Sequence, residues 1–409
     1  MRRLRHTLLS FFPLLAGSHQ VPSSLHRRHF LGSSSAAAAA AGVVCSPPAA
    51  QAASPQTERI FDTSSGKWLP PAPLASLLPR EVLEMDKGGV VVVGENHASP
   101  THHRLQLEVI RALHQESIRE TGKPPLAIGL EMFYRQHQPL LDRYVFSDQL
   151  VARYNSSFEY GIQDLERDTE WEKTWGYDIN SGYSKIFAFA KKNGIRLVGL
   201  NIPAQVVQLV RDAGIRQIDP NLRALLPQGM DFANEKHRTR FDETMAEMES
   251  IGVSHMGVKG ATAYASDMGG VDGAEEKKRV LQNYYECEVL WDEYCAETAA
   301  RYFESCAKTE EGRGVPGSEG AKLIILAGSS HVCGRDGIPD RIARRLQSDY
   351  SRALPFRPFT IVPRGVSWVG GSPDLGGSGK LPSTEVADWV WYTQKDEQPI
   401  PRQEISRSA

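Results

Sequence analysis

The sequence predicts an α/β fold: a mostly parallel sheet flanked by helices, with a helical cap inserted over one edge. Three observations predict it. From residue 89 onward, strand-like and helix-like segments alternate, the pattern of a sheet covered on both faces. Two runs of β-branched and aliphatic residues end in the same motif: Val90 to Val93 leads into Gly94-Glu95-Asn96-His97, and Leu323 to Leu326 into Gly328-Ser329-Ser330-His331. Two further runs stop on a polar side chain, at Glu131 and at Asn201. If these four strands are parallel, their carboxyl ends gather Glu95, His97, Glu131, Asn201 and His331 along the edge where open α/β sheets seat their ligands.

Residues 1–52 read as a targeting leader, set apart from the fold. The first acidic residue of the chain is Glu58, and five arginines but no lysine precede it. Arg27-Arg28-His29-Phe30-Leu31 precedes an alanine-dominated apolar stretch from Ala36 to Val44, and Ala50-Gln51-Ala52 supplies small residues for a signal peptidase. This resembles a twin-arginine export signal behind an arginine-rich transit segment. The expected destination is the chloroplast thylakoid lumen, with a bacterial periplasm as the alternative. The apolar stretch falls short of the ~20 residues a membrane span needs, so no span is expected in the mature chain. That mature chain carries 42 basic against 49 acidic side chains, a formal charge of −7, and no basic cluster, so no nucleic-acid partner is expected. Cys287, Cys295 and Cys306 fall on one predicted helix, ~12 Å or more apart at ~1.5 Å rise per residue, too far to bridge. With Cys333 they are read as free thiols.

Residues 53–80 read as a linker rich in Ser, Pro and Thr, 81–395 as one α/β domain, and 396–409 as a polar tail. The first strand is Gly89 to Val93. Ser99 caps, and Pro100 opens, a helix running to about Glu120. Gly122-Lys123-Pro124-Pro125 breaks it before a second strand, Leu126 to Leu130. From about 138 to 183 the pattern is helical and aromatic, an insertion over the ligand edge. The next helix stops at Gly194, and Ile195 to Leu200 forms a third strand. Helices over 231–250 and 274–306 flank a Gly-rich loop, Ile251 to Gly273, of the kind that acts as a lid. The strand Lys322 to Leu326, a helix from Pro339, the strand Phe359 to Val362 and an edge strand Asp388 to Tyr392 complete the domain.

Each Gly-x-x-His alone is a weak signal. Four polar strand ends in one sheet are stronger, because buried carboxylates and imidazoles need partners or a ligand to offset desolvation. Glu95, His97, Glu131 and His331 form a mixed oxygen and nitrogen set suited to a divalent metal or to acid–base chemistry. No His-x-x-x-His zinc spacing accompanies them. His102 and His103 sit in the first turn of the helix behind His97, where free amides favour anions and Arg104 adds a cation. One of the two histidines is expected to face the site and the other solvent. If the aromatic insertion walls a haem-type group, Tyr183, or His255 and Met256 on the Gly-rich loop, are the positions for an axial ligand. On the helix containing Tyr284 to Glu293, Glu286, Leu290 and Glu293 share a face read as an outer solvated stripe, from which Glu286 or Asp292 could reach the site.

Taken together, Val91 to His97 with His102 to Gln106, Gly129 to Phe133, Trp171 to Tyr183, Gly194 to Pro203, Tyr285 to Glu293, Ala327 to Val332 and Gly337 to Arg341 resemble the ChaN family of haem-binding uptake proteins. The wider superfamily, with the Tiki proteases, TraB-like proteins and erythromycin esterases, shares the paired Gly-x-x-His motifs and a strand-end glutamate. The resemblance implies that His97, Glu131 and His331 are site residues with Glu95 beside them. It also implies haem as cofactor, a tyrosine as iron ligand, and cofacial haem pairing in a homodimer. Two functions follow as expectations: a haem or tetrapyrrole carrier, store or scavenger, and alternatively a hydrolase in which His97 or His331 is the base and Glu131 orients it.

Overall fold

The computed structural model describes residues 58–79, 82, 89–121, 126–154, 160–250, 270–308, 322–349, 357–369, 372–375 and 381–396. The leader, most of the Gly-rich loop with His255 and Met256, and the tail beyond Asp396 lie outside the described residues. The strands are β1 (Glu58–Asp62), β2 (Lys67–Trp68), β3 (Gly89–Glu95), β4 (Leu126–Tyr134), β5 (Arg196–Asn201), β6 (Lys322–Gly328), β7 (Phe359–Val366), β8 (Trp368–Val369), β9 (Ser372–Pro373) and β10 (Trp389–Gln394). The helices are α1 (Leu74–Leu77), α2 (Pro100–Thr121), α3 (Gln138–Tyr154), α4 (Ile162–Asp168), α5 (Trp171–Thr174), α6 (Tyr183–Asn193), α7 (Ala204–Ala213), α8 (Pro220–Arg223), α9 (Glu235–Ser250), α10 (Gly270–Lys308), α11 (Ser329–Val332) and α12 (Ile338–Asp349).

The main sheet runs β2-β1-β10-β7-β3-β6-β4-β5. From β10 to β5 all neighbours are parallel, and β1 adds antiparallel to β10. The central strands are buried on both faces, which is why they read as unbroken aliphatic runs instead of alternating ones. Val91, Val93, Ile128, Leu130, Ile324 and Leu326 face a core completed by Leu105, Val109 and Leu113 of α2 and Ile186 and Phe187 of α6. Val90, Val92, Leu323 and Ile325 face the other way, against Cys295, Ala296 and Ala299 of α10 and Ile338, Ile342 and Leu346 of α12. Cys287, Cys295, Cys306 and Cys333 form no disulfide, as expected. No described helix is long and apolar enough to cross a membrane.

Three expectations are corrected. The supposed linker contains β1, β2 and α1: Ile60 and Phe61 are buried, and Glu58 to Asp62 pairs with β10. Its apolar stretch is only two residues long inside a Ser- and Pro-rich background, and pairing with β10 overrides that composition, so that β10, expected as an edge strand, is paired on both sides. β4 does not end at Glu131 but continues to Tyr134, with all nine residues buried, so Glu131 is embedded in the strand. The long helix α10 begins at Gly270, four residues before Ala274. Two signals perform as read: the Ser99 hydroxyl accepts from the His102 amide at 3.1 Å at the start of α2, and Gly194 ends α6 in the left-handed conformation at φ 64°.

Candidate active site at the carboxyl edge

The register decides what meets at the edge. β3 and β6 pair in parallel with Gly94 opposite Ala327 and Glu95 opposite Gly328, so the two Gly-x-x-His segments leave the sheet side by side. Gly328 lies between the rings. A Cβ there would stand 3.0 Å from Cε1 and Nε2 of His97 and 3.5 Å from Cδ2 of His331, so a larger residue would push the His97 ring aside.

Each imidazole is backed by a carboxylate at Nδ1. His97 Nδ1 lies 2.7 Å from Glu95 Oε1. Glu95 also accepts from the Gln106 amide at 2.7 Å and from the Tyr183 hydroxyl, and His103 Nε2 stands 3.7 Å away. Burial pushes the Glu95 carboxyl up, but His97, His103 and Tyr183 outweigh it and hold it at about 2. Burial likewise pushes His97 down, and Glu95 with Glu131 reverses this to a net rise. The His97 side chain is 24% exposed, its ring packed edge-on to Trp175 at 4.6 Å and tilted against Tyr177 at 5.4 Å.

The second pair is more deeply enclosed. His331 Nδ1 lies 2.7 Å from Asp292 Oδ1 and 3.5 Å from Glu288, its Nε2 lies 3.5 Å from Glu131 Oε1, and its ring stacks on Trp291. Burial disfavours the imidazolium, yet Glu288, Glu131 and Asp292 outweigh it and raise His331 to about 10. His331 is therefore a cation at neutral pH. Asp292, fully buried, is held far below the usual carboxylate range: burial pushes it up, and His331, Arg341 and His237 more than reverse that. Its second oxygen meets His237 Nε2 at 3.1 Å, and His237 Nδ1 lies 3.4 Å from the Tyr285 hydroxyl. Glu131 sits between the pairs, its Oε2 accepting from the Gly328 amide at 2.5 Å.

The structure thus brings Glu95, His97, Glu131 and His331 together. The remaining candidates are placed differently. Asn201 is buried, donating to the Glu131 carbonyl at 2.9 Å and accepting from the Ile202 amide at 2.8 Å, and so closes the strand end. Neither His102 nor His103 faces solvent. His102 Nδ1 accepts from the Asn96 amide at 2.8 Å, which requires a neutral ring, and burial lowers its pKa to about 4 despite Asp396 and Glu95. His103 lies tilted against Tyr183, ring centroids 3.9 Å apart, with Gly182 packed against its ring. Arg104 turns away from the site to Glu58 and Glu108. The anion position at the start of α2 is filled by the chain itself: Asp396 accepts from the Ser99 hydroxyl, and from Thr101 at 2.6 Å. Tyr183 is fully buried, its hydroxyl committed to Glu95 and pushed well above 10 by burial and that carboxylate.

The reading of α10 as a solvated stripe is also corrected. Asp292 and Glu293 are fully buried and Glu288 nearly so. Asp292 does reach the site, as expected for it, but from a buried face, and Glu288, His237 and Arg341 join it without having been expected there. A signal was present: Cys287, Val289, Leu290, Cys295 and Ala296 make the helix apolar nearly all round, and acids within such a helix need buried partners. Among the described residues, no group of three or more His, Cys, Asp or Glu is arranged to hold a metal ion.

The family profile described as haem-binding uptake, Tiki superfamily, ChaN matches residues 82–342. Among solved structures, ChaN of Campylobacter jejuni, determined with cofacial haem, superposes with a TM-score of 0.51 at 17% identity over 82% of this chain and 97% of that one. The type III effector HopBA1 is more distant, with a TM-score of 0.31 and 13% identity over 75% of this chain and 88% of that one. No curated protein sequence matches the chain. The matched span contains both His–carboxylate pairs and the glycine between them, and the chain belongs to the ChaN family of haem-binding uptake proteins in the Tiki superfamily.

Proposed function

We propose that this protein binds haem or a related tetrapyrrole at the carboxyl edge of its sheet and serves as a carrier, store or scavenger. One observation carries the reading. His97 is partly exposed, its Nδ1 is held by Glu95, and it lies against Trp175 and Tyr177. A carboxylate on one ring nitrogen fixes the tautomer and leaves the other nitrogen as a donor, the usual arrangement of a metal-ligating histidine. The residues fit the group: His97 Nε2 would ligate the iron, Glu95 would orient the ring, and Trp175 and Tyr177 would wall the macrocycle. Bound haem would supply the iron. Tyr183 does not fit the ligand role, because its hydroxyl is buried and donating to Glu95.

Delivery to the thylakoid lumen or the periplasm, supported by the composition of residues 1–52, belongs to the same proposal, as does a second copy of the chain as partner. Titration of the purified protein with haem is expected to give a saturable Soret band, and Glu95→Gln is expected to weaken binding by about 10–100-fold. Absence of any spectral change in the unaltered protein would remove the reading.

A second reading, hydrolysis of an ester or amide, is supported by the second pair and the shared Glu131. In it His97 is the general base and His331, already an imidazolium, the acid. Turnover of a chromogenic ester is then expected to fall by about 100-fold or more in both His97→Ala and Glu131→Gln with the fold retained. Full activity in both variants contradicts it.

A further inference from the structure

A cavity of about 550 Å³ lies at the carboxyl ends of β7 and β10. None of Glu95, His97, Glu131 or His331 lines it. Its volume is within the roughly 300–1,000 Å³ typical of small-molecule sites. The parallel register puts Arg364 directly beside Tyr392, and in a parallel pair neighbouring positions project from the same face of the sheet. The Tyr392 hydroxyl is buried and, among the described residues, has only the Arg364 guanidinium beside it, a donor that cannot accept the hydroxyl's own proton. Leaving such a hydroxyl unsatisfied is unfavourable unless something else meets it.

Arg364 is exposed and has no carboxylate partner among the described residues. Asp374 also lines the cavity, but it is engaged in an interaction of its own. Leu375, Leu381 and Val386 form an aliphatic wall, with Leu381 one of the few large apolar side chains left exposed among the described residues. An exposed guanidinium beside a buried hydroxyl, above an aliphatic wall, complements one kind of molecule.

We propose that this cavity is a second ligand site that takes an aliphatic monocarboxylate, its carboxylate against Arg364 and the Tyr392 hydroxyl and its hydrocarbon against Leu375, Leu381 and Val386. The site is independent of the histidine edge, so loss of haem binding leaves it standing. Calorimetric titration of the purified protein with octanoate and octanol tests it. Octanoate is expected to bind in the range of about 0.1–1 mM and octanol about ten-fold more weakly. Arg364→Gln, a change at an exposed position, is expected to abolish the preference for the acid while leaving octanol unchanged, and Tyr392→Phe to weaken octanoate a few-fold. No octanoate binding up to about 10 mM, equal binding of acid and alcohol, or an undiminished preference in Arg364→Gln would each overturn the proposal.

Discussion

Replacing Asp292 with alanine is expected to destabilise the fold by about 3–5 kcal/mol, the largest effect of any single change at the site. Asp292 is fully buried, and it answers three cationic or hydrogen-bonding groups at once: His331 at 2.7 Å, His237 at 3.1 Å and Arg341 at 3.5 Å. Removing one side of a buried pair leaves His331 without its closest carboxylate and Arg341 with one fewer, which costs far more than the pair itself contributes. The double variant Asp292→Asn with His331→Gln removes the charge on both sides, and it is expected to be more stable than Asp292→Ala. Urea unfolding monitored by circular dichroism measures both. Equal stability of Asp292→Ala and the unaltered protein would show that the pair is not formed.

Stability is expected to peak near pH 6.5 and to fall on both sides. His331 is held above its ordinary value of 6.5, at about 10, so its charged form stabilises the fold fully below pH 6.5. That contribution is lost as the pH rises toward 10. His102 behaves oppositely: burial lowers it from 6.5 to about 4, so protonation between those values favours the unfolded chain. Glu95, depressed from 4.5 to about 2, adds stability above pH 4.5 that disappears as the pH falls toward 2. The two limbs are separable by mutation. His331→Gln is expected to flatten the alkaline limb and leave the acid limb in place, read from denaturation midpoints between pH 4 and pH 10. An alkaline limb unchanged in that variant would assign it to other groups.

The central sheet was legible because four aliphatic residues in a row, followed by Gly-x-x-His, occur twice, and a parallel pairing of such runs leaves little freedom in where their ends meet. Glu95, His97, Glu131 and His331 could be read for that reason. Asp292 could be named as within reach of the site but not as buried, because the polar face of α10 gives no hint of the apolar residues that surround it. The orientation of His102 and His103 is set by Gly182 and Asn96, contacts that no helical periodicity encodes. Asp396 is the clearest case: it reaches Ser99 across 297 positions of sequence and fills the anion site expected for a ligand. β1 escaped notice because two apolar residues carry too little pattern, while its partner β10 was visible from Trp389 to Tyr392.

The most direct test of the haem reading compares three proteins in one haem titration: the unaltered chain, His97→Ala and Tyr183→Phe. The geometry predicts a saturable Soret band in the unaltered chain and in Tyr183→Phe, whose hydroxyl is spent on Glu95, and a lost or strongly displaced band in His97→Ala. An unchanged band in His97→Ala together with its loss in Tyr183→Phe would contradict the account and return the iron to the buried tyrosine.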